Sequence, residues 1–374
     1  MQNAPIQEIS TTAIGPVLEF HMQTPGAPVP FFHGKPGVSK SAQAKAVAKR
    51  LNLKFTDVRL AQMSAMDVRG LPVINQANKS TEWYRPDFFP TAETIVLAKA
   101  EGYEGELIFF DELSSAPPAI QAAAYQIILD RATGQYTIPE DPAYPIYMAA
   151  AGNNLKDGAV VLNMSSALKN RMSHYQVMTD LDGFITYGLE SGMDSRVLAF
   201  LKFTPDALHA MPTAGEYAFP TNRTWEMTSN FIKNRSLEDF PLLRTAIGGT
   251  IGTGTATNFL AHMSIADQLP DIEDVLENGP TVAIDAKNNS LVWTYVLGLT
   301  GHMINKANNV QDKHITNFVA AVDALSSQGR TELMYLAFHE ISNMRDKKPL
   351  TKYMKNKNWS KLVKDNMKVL TSVK

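Results

Sequence analysis

The stretch that decides the fold is an apolar run followed by a glycine-containing turn and a helix-forming segment. It reads Val29-Pro30-Phe31-Phe32-His33-Gly34-Lys35-Pro36-Gly37-Val38-Ser39-Lys40-Ser41. The run 29–33 has the length and composition of a buried strand, and Ser41–Leu51 has the composition of a helix. A strand, such a turn and a helix in this order are typical of a phosphate-binding loop.

The chemistry of the turn fits that interpretation. A helix start offers unpaired N–H groups and partial positive charge, Lys40 can reach terminal phosphates, and the Ser41 hydroxyl can bind Mg²⁺. Ser39 replaces the second glycine of the pattern G-x-x-x-x-G-K-[ST]. A small residue fits at this position if its backbone is not left-handed. An ordinary strand-turn-helix is the alternative. The predicted nucleotide-binding residues are Gly34, Lys35, Pro36, Gly37, Val38, Ser39, Lys40 and Ser41.

A second apolar run ends in two carboxylates. Leu107–Phe110 is followed directly by Asp111 and Glu112. In a parallel sheet this strand end lies at the same edge as the phosphate loop, where ligands of open α/β sheets bind. We therefore expect Asp111 to hold Mg²⁺ through water and Glu112 to orient or deprotonate an attacking water. The alternative is an acidic helix start that complements the helix dipole.

The rest of the chain predicts an α/β core followed by helices. Short β-like runs alternate with helical stretches up to about Tyr187, which favours a mainly parallel sheet covered by helices on both faces. After Tyr187 the apolar residues recur at helical spacing. The predicted strands are Val29–His33, Lys54–Val58, Glu106–Phe110, Ile146–Ala151 and Ser173–Val177.

Composition narrows the function classes. The chain has 374 residues, 44% of them hydrophobic, and a formal net charge of -2, so no overall charge indicates nucleic acid or membrane as the partner. With no cysteine, disulfides, thiolate metal sites and cysteine nucleophiles are excluded. No stretch approaches the roughly 18 to 20 apolar residues of a membrane span, so we expect a cytoplasmic protein.

Six motifs, including the two described above, occur in a fixed order, and together they resemble a MoxR-type AAA+ ATPase of bacteria and their phages. The resemblance covers roughly residues 25 to 260 and implies an AAA+ P-loop NTPase core that uses ATP and Mg²⁺. The motifs are Gly-Lys-Pro-Gly-Val-Ser-Lys-Ser at 34–41, Asp-Val-Arg-Gly-Leu-Pro-Val at 67–73, Phe-Phe-Asp-Glu-Leu-Ser-Ser-Ala-Pro-Pro at 109–118, Ala-Ala-Gly-Asn at 150–153, Ala-Leu-Lys-Asn-Arg-Met at 167–172 and Asn-Arg-Thr-Trp-Glu at 222–226.

The resemblance also implies three catalytic roles. Asn153 matches the sensor-1 residue that helps to position the attacking water. Arg171 matches the arginine finger that reaches the γ-phosphate bound to a neighbouring subunit, and Arg223 matches the sensor-2 arginine that couples a lid to the nucleotide. The alternatives are a capping asparagine and two solvated arginines.

The predicted domains are an α/β core over 1–190, a helical lid over 191–275 and a helical C-terminal extension over 276–374.

By resemblance the chain forms a homo-oligomer, expected to be a hexameric ring, and remodels a protein partner that could carry a von Willebrand A-type domain. Two alternatives are a nucleotide-dependent scaffold with little turnover and a motor acting on nucleic acid. The basic segment from Arg345 to Lys374, with an excess of eight positive charges, is the support for nucleic acid. A solvated helix face is the other interpretation of that segment.

Two segments resemble inserts of this branch. Gly70–Pro90 is expected to form a hairpin or helix near a central pore, with Trp83 and Tyr84 as pore candidates or core anchors, and Arg131–Tyr147 resembles the hairpin before sensor 1. The glycine-rich Gly248–Gly254 lacks a preceding strand, so a turn or close helix packing is expected there instead of a phosphate site. We expect a structural role for His33.

Overall fold

The structure is a computed structural model that describes residues 6–154, 164, 166–212, 215–233, 235, 242–266, 268–281, 284–344 and 346–365. Its chain forms two compact units, Met1–Asp180 and Leu181–Lys374. In the described residues no helix is both long and apolar enough to cross a membrane.

A six-stranded parallel sheet forms the centre of the first unit. Its spatial order is β1-β10-β2-β9-β6-β3, so the strand that leads into the phosphate loop lies in the interior of the sheet. The chain enters this strand from β1 on one side and leaves it toward β3 on the other side. The loop after it therefore lies at the carboxyl ends of the strands, at a point where the crossovers diverge, which is where open α/β sheets bind ligands. The strands are β1 (Gln7–Ser10), β2 (Val29–His33), β3 (Leu53–Arg59), β6 (Gly105–Asp111), β9 (Ile146–Gly152) and β10 (Met172–Met178).

Helices cover both faces of this sheet, because its central strands are apolar on both sides. Residues Gly105–Phe110 of β6 are all buried, and Phe31 and Phe32 of β2 pack into two different apolar clusters. Such near-continuous apolar runs are expected for strands covered on both faces. The helices of this unit are α1 (Ile14–Gln23), α2 (Lys40–Arg50), α3 (Ala65–Arg69), α4 (Ala92–Ala100), α5 (Pro118–Asp130) and α6 (Ser166–Lys169).

Two antiparallel hairpins interrupt the α/β alternation. The first joins β4 (Leu71–Asn75) to β5 (Ser80–Tyr84), and the second joins β7 (Ala132–Thr133) to β8 (Tyr136–Thr137). They lie in the two segments for which inserts were expected. A hydrogen bond from the Tyr136 hydroxyl to the Trp83 carbonyl, at 2.5 Å, ties one hairpin to the other.

The second unit is helical throughout the part that the structure describes. Trp225 is fully buried and packs against Phe200 and Phe259, with ring centroids 5.5 and 5.4 Å apart. Its helices are α7 (Leu181–Ser191), α8 (Ser195–Phe203), α9 (Asn222–Ile232), α10 (Leu242–Ile251), α11 (Thr253–Ala266), α12 (Ile272–Asn278), α13 (Asn289–Asn305), α14 (Asp312–Ser326), α15 (Thr331–Asn343), α16 (Leu350–Lys355) and α17 (Lys357–Asp365).

The predicted fold class is confirmed: a parallel sheet flanked by helices is followed by a helical region. The five predicted strands each lie within one residue of an observed strand at both ends. The edge strand β1 was not predicted, since Gln7–Ser10 is short and only half-buried. Gly252, with φ of 81°, forms the junction between α10 and α11, and the rest of the glycine-rich stretch Gly248–Gly254 lies within these two helices. The predicted domain limits at residues 190 and 275 stay predictions.

Candidate functional site

The phosphate loop connects the buried strand β2 to helix α2 in the order that the sequence predicted. The Gly34 N–H donates to the Gly152 carbonyl at 3.1 Å, which fixes the start of the loop to the end of β9. Gly37 and Ser39 both have left-handed backbones, with φ of 80° and 64°. Alternating left-handed residues can turn successive N–H groups toward one point and so form an anion-binding concavity.

The backbone of Ser39 differs from the sequence expectation. A serine was expected to fit only without a left-handed backbone, yet Ser39 has φ of 64° and ψ of 24°. The chain therefore keeps the geometry of the missing glycine and carries the strain of a Cβ atom in it, on the order of 1 to 2 kcal/mol. The strand and the helix on either side of the loop impose this backbone conformation on Ser39.

Lys40 is buried at the first position of α2, with its ammonium group turned back into the loop. Its Nζ donates to the carbonyl oxygens of Gly34 at 2.6 Å and Lys35 at 3.0 Å, and lies 3.4 Å from Oδ1 of Asn153. A cation at a helix N-terminus opposes the helix dipole, so the position does not serve helix stability. It places positive charge between the phosphate loop and the end of β9.

The two predicted magnesium ligands meet across the sheet edge. The Ser41 hydroxyl donates to Oδ2 of Asp111 at 2.5 Å, although 70 residues separate them in the chain. The other oxygen of Asp111 accepts from the backbone N–H of Glu112 at 2.9 Å. Glu112 itself has a left-handed backbone, with φ of 57°, at the point where β6 ends.

Asn153 lies directly beyond β9, and its Oδ1 is 3.4 Å from the Lys40 ammonium, while its sensor-1 role stays a prediction. Its backbone carbonyl accepts from the Ser114 hydroxyl at 3.0 Å, which links the segment after β9 to the segment after β6. A Cβ atom on the preceding residue, Gly152, would lie 2.3 Å from that hydroxyl oxygen. Only glycine allows this close approach, so Gly152 helps to place the amide of Asn153.

A pair of histidines links the base of the phosphate loop to β10. Nε2 of His33 lies 2.8 Å from Nδ1 of His174, and Nε2 of His174 lies 2.8 Å from the Lys169 carbonyl at the end of α6. Burial, assisted by the nearby positive charges of His174 and Lys40, lowers the pKa of His33 to about 3. His33 is therefore neutral near pH 7, and the structural role expected for it agrees with these contacts.

The two candidate arginines lie in different units. Arg171 is exposed just before β10, and its guanidinium carbon lies 5.6 Å from the ring centroid of Tyr125 on α5. Arg223 is exposed in the first turn of α9, behind a capping box formed by Thr221 and Thr224. Neither arginine belongs to the cluster around Lys40, and their predicted roles stay predictions.

The pore candidates have different environments. Trp83 is half-buried in the first hairpin, whereas Tyr84 is 62% exposed beside the exposed Leu71, its partner in the β4–β5 ladder. The alternative of a core anchor therefore applies better to Trp83 than to Tyr84.

Sequence reasoning missed three residues that shape the site. Ser114 contacts Asn153, 39 positions along the chain, and His174 contacts His33, 141 positions away. No local sequence pattern indicates contacts over such separations. Arg59 lies beside Asp111 in the β3–β6 register and donates to Asp57 at 3.0 Å. That hydrogen bond, and next the negative charges of Asp57, Asp111 and Glu112, raise the pKa of Arg59.

The donor set of the site suits a hard cation held together with phosphates. Ser41 and Asp111 provide oxygen ligands, which Mg²⁺ prefers, and it commonly binds through one or two such side chains plus substrate phosphates. Within the described residues no group of three or more histidine, aspartate and glutamate side chains could hold a metal on its own. The residues therefore fit an ion that arrives with a nucleotide.

One family model matches the part of the chain around this site. Residues 31–172 match the family model of the AAA domain, dynein-related subfamily. This range begins in β2, ends at the start of β10 and contains Lys40, Asp111 and Asn153. No curated protein sequence matches the chain.

Solved structures show only distant likeness. A Cytophaga hutchinsonii protein provisionally assigned as an ATPase is 17% identical, with 46% of this chain and 44% of that protein covered and a TM-score of 0.28. The chain thus spans less than half the length of that protein. The Thermotoga maritima RuvB Holliday junction branch migration motor is 13% identical, with 74% and 78% covered and a TM-score of 0.29.

Proposed function

We propose that the AAA domain formed by residues 31–172 binds ATP with Mg²⁺ and hydrolyses it. The observation that carries the proposal is the 2.5 Å contact between the Ser41 hydroxyl and the Asp111 carboxylate, beside the buried ammonium of Lys40. The hydroxyl and the cation come from the start of α2, after the phosphate loop, and the carboxylate comes from the end of β6. This combination matches what phosphoryl transfer requires of a protein, namely positioning and charge stabilisation.

Each residue of the cluster has a distinct part in the proposed reaction. Lys40 neutralises charge on the terminal phosphates, and Ser41 with Asp111 would hold the magnesium ion. Bound there, the ion would neutralise phosphate charge and align the phosphate oxygens. Glu112 accepts a proton from the attacking water, and Asn153, fixed by Ser114, helps to orient that water.

The two arginines complete the proposal. Arg171 is exposed and anchored over Tyr125, which suits a guanidinium that reaches into the site of a neighbouring subunit. Arg223 occupies the first turn of a helix, where positive charge opposes the dipole and does not stabilise the helix. A role toward phosphate accounts for a cation at this position, and we assign it the coupling of the second unit to the nucleotide.

The larger biological role follows from resemblance to MoxR-type proteins. We propose that the chain assembles into a ring, a hexamer by resemblance, and uses ATP hydrolysis to remodel a protein partner. A partner with a von Willebrand A-type domain is the class to test first. The β4–β5 hairpin, with exposed Leu71, Ile74 and Tyr84, is the candidate element for contact with that partner.

The test compares ATP binding and steady-state hydrolysis in three variants of the full chain. Lys40→Ala should abolish nucleotide binding, because the buried cation that faces the phosphates is lost. Glu112→Gln should keep ATP and Mg²⁺ bound while hydrolysis falls by about 10²-fold or more, since the amide cannot act as a base. Lys45→Ala, which removes an exposed lysine from the same helix, is the matched control and should behave as wild type.

Two outcomes would contradict the proposal. ATP affinity that is unchanged in Lys40→Ala would remove the phosphate site itself. Turnover near wild type in Glu112→Gln would leave the site intact but make Glu112 a structural acid. Tight binding with negligible turnover in the wild-type chain would instead support the alternative of a nucleotide-dependent scaffold.

A further inference from the structure

The last two described helices carry a row of lysines that the nucleotide site does not use. Residues 346–365 contain seven lysines and two aspartates, in a chain whose overall formal charge is -2. Two of the seven are engaged with carbonyl oxygens: Lys347 with Ser342, and Lys352 with Asn308 and Val310. The other five are exposed: Lys348, Lys355, Lys357, Lys361 and Lys364. We call these five the lysine face.

The lysine face has no compensating charge among the residues that the structure describes. None of its five ammonium groups forms an ion pair or a hydrogen bond there, whereas other lysines of the same unit do. Lys306 pairs with Glu273, and Lys313 pairs with Glu277. The lysine face therefore gathers several cations without a charged partner in one short segment.

Geometry places three of these lysines on one side of α17. Lys357, Lys361 and Lys364 are spaced i, i+4 and i+7, which brings them onto one helical stripe of about 10 Å. Like charges at i, i+4 repel each other, so the arrangement weakens the helix slightly when no partner is present. The negative charges of a polyanion bound along the stripe would attract the three ammonium groups and offset the repulsion between them.

The opposite side of α17 is fixed in the core, so the lysines are held on a firm support. Trp359 is buried, with its ring centroid 4.2 Å from that of Phe338 and 5.0 Å from that of Tyr353. Buried Asn356 accepts from the backbone N–H groups of Asn358 and Trp359, each at 3.0 Å, and donates to Asp312 Oδ1 at 2.8 Å. The lysine face is therefore positioned by packing and by a capping amide.

The composition of the face distinguishes between the possible anionic partners. Protein interfaces are depleted in lysine and enriched in aromatic residues, methionine and arginine. The exposed residues of 346–365 include no aromatic residue and no arginine, and one methionine, Met354, among five lysines of the lysine face. An interfacial membrane helix needs a free apolar face, but Trp359 and Leu362 are buried in this protein. Binding to a phosphate backbone requires cations at regular spacing, and Lys357, Lys361 and Lys364 provide them on one side of α17.

We propose that the lysine face binds the phosphate backbone of a nucleic acid duplex without sequence preference. Single-strand binding would use exposed aromatic rings for stacking, and the described part of this segment shows Tyr353 and Trp359 buried. Binding through five lysine contacts should be strongly salt-dependent, because each neutralised phosphate releases counterions. The proposal does not depend on ATP hydrolysis.

The test measures binding to a fluorescent DNA duplex of mixed sequence, by anisotropy over a series of salt concentrations and without nucleotide. The triple variant Lys357→Gln, Lys361→Gln, Lys364→Gln should bind at least about tenfold more weakly. Its slope of log affinity against log salt should fall by about 2 to 3, close to one per lost contact. The matched control, Lys45→Gln, Lys49→Gln, Lys287→Gln, removes three exposed lysines elsewhere and should keep the wild-type affinity and slope.

Further probes separate the partner classes. A single strand of the same sequence, polyglutamate and vesicles of anionic lipid should each bind more weakly than the duplex. The proposal is overturned if the wild-type protein does not bind the duplex at low salt, or if both triple variants lose affinity equally. It is also overturned if polyglutamate or the vesicles bind better than DNA. Circular dichroism of the triple variant checks that α17 is intact, and a Lys361→Arg variant, which keeps the charge, should bind like wild type.

Discussion

At the residue scale, the phosphate loop shows how a fold can impose a backbone that its side chain disfavours. Ser39 holds a left-handed conformation at the position where the motif has glycine. The cost of a Cβ atom in that region is of the order of 1 to 2 kcal/mol. The surrounding strand, helix and the Gly34–Gly152 hydrogen bond determine the conformation, so the strain stays in the folded protein.

Substitutions at position 39 should therefore rank by their tolerance of a left-handed backbone. Ser39→Gly should raise the free energy of unfolding by up to about 1 kcal/mol, because relief of strain exceeds the added entropy of the unfolded chain. Ser39→Ala should be near neutral, and β-branched Ser39→Val should destabilise by more than about 1 kcal/mol. Urea denaturation of the four proteins gives the ranking. A Ser39→Gly variant less stable than wild type would contradict the strain argument.

Asp111 and Glu112 show a different principle at the same scale. Glu112 adopts a left-handed backbone, and its N–H donates to Asp111. The Asp111 carboxylate is thereby held between this N–H and the Ser41 hydroxyl. The proposed function gives these two neighbouring carboxylates different tasks.

At the element scale, the pairing of strands β2 and β10 includes a side-chain contact between two histidines. His33 lies 2.8 Å from His174, and burial lowers the pKa of His33 to about 3 from its ordinary value of 6.5. In the unfolded chain His33 takes up a proton as the pH falls through about 6.5, but in the folded chain it does so only near 3. The unfolded state therefore binds more protons within this window, and stability decreases as the pH falls through it.

Replacing His33 should remove part of that pH dependence. Between pH 6.5 and 4, the free energy of unfolding of His33→Gln should change by up to about 1.4 kcal/mol less per pH unit than that of the wild type. At pH 8 the variant should be less stable, because the bond to His174 is altered. Equal slopes for wild type and His33→Gln would refute the role given to burial.

At the scale of the whole molecule, the catalytic site is expected to be completed by a second subunit. Arg171 is exposed beside Tyr125 and lies outside the cluster of Lys40, Ser41 and Asp111. A guanidinium brought to the transferring phosphoryl group can contribute on the order of 10³-fold in rate. Catalysis should then depend on assembly.

Arg171→Ala should bind ATP normally but hydrolyse it on the order of 10³-fold more slowly. Mixing it with Lys40→Ala subunits should restore part of the activity, because one variant supplies an intact pocket and the other an intact finger. Specific activity of the wild type should rise with protein concentration. Exposed Arg244→Ala serves as the control and should keep normal activity. Activity independent of concentration, together with no rescue on mixing, would show that Arg171 does not work across an interface.

The sequence by itself determined two features: the strand, turn and helix around Lys40, and the strand that ends in Asp111. Both depend on local apolar runs and on residues close together in the sequence. It also determined that Ser41 and Asp111 would meet, since parallel strands bring their carboxyl ends to one edge. The tertiary structure alone decided that β1 extends the sheet, that Ser114 fixes Asn153 and that His33 meets His174. These contacts join positions 39 to 168 residues apart in sequence, and their residue types carry no local pattern. Packing of the sheet brings them together, so only the folded chain reveals them.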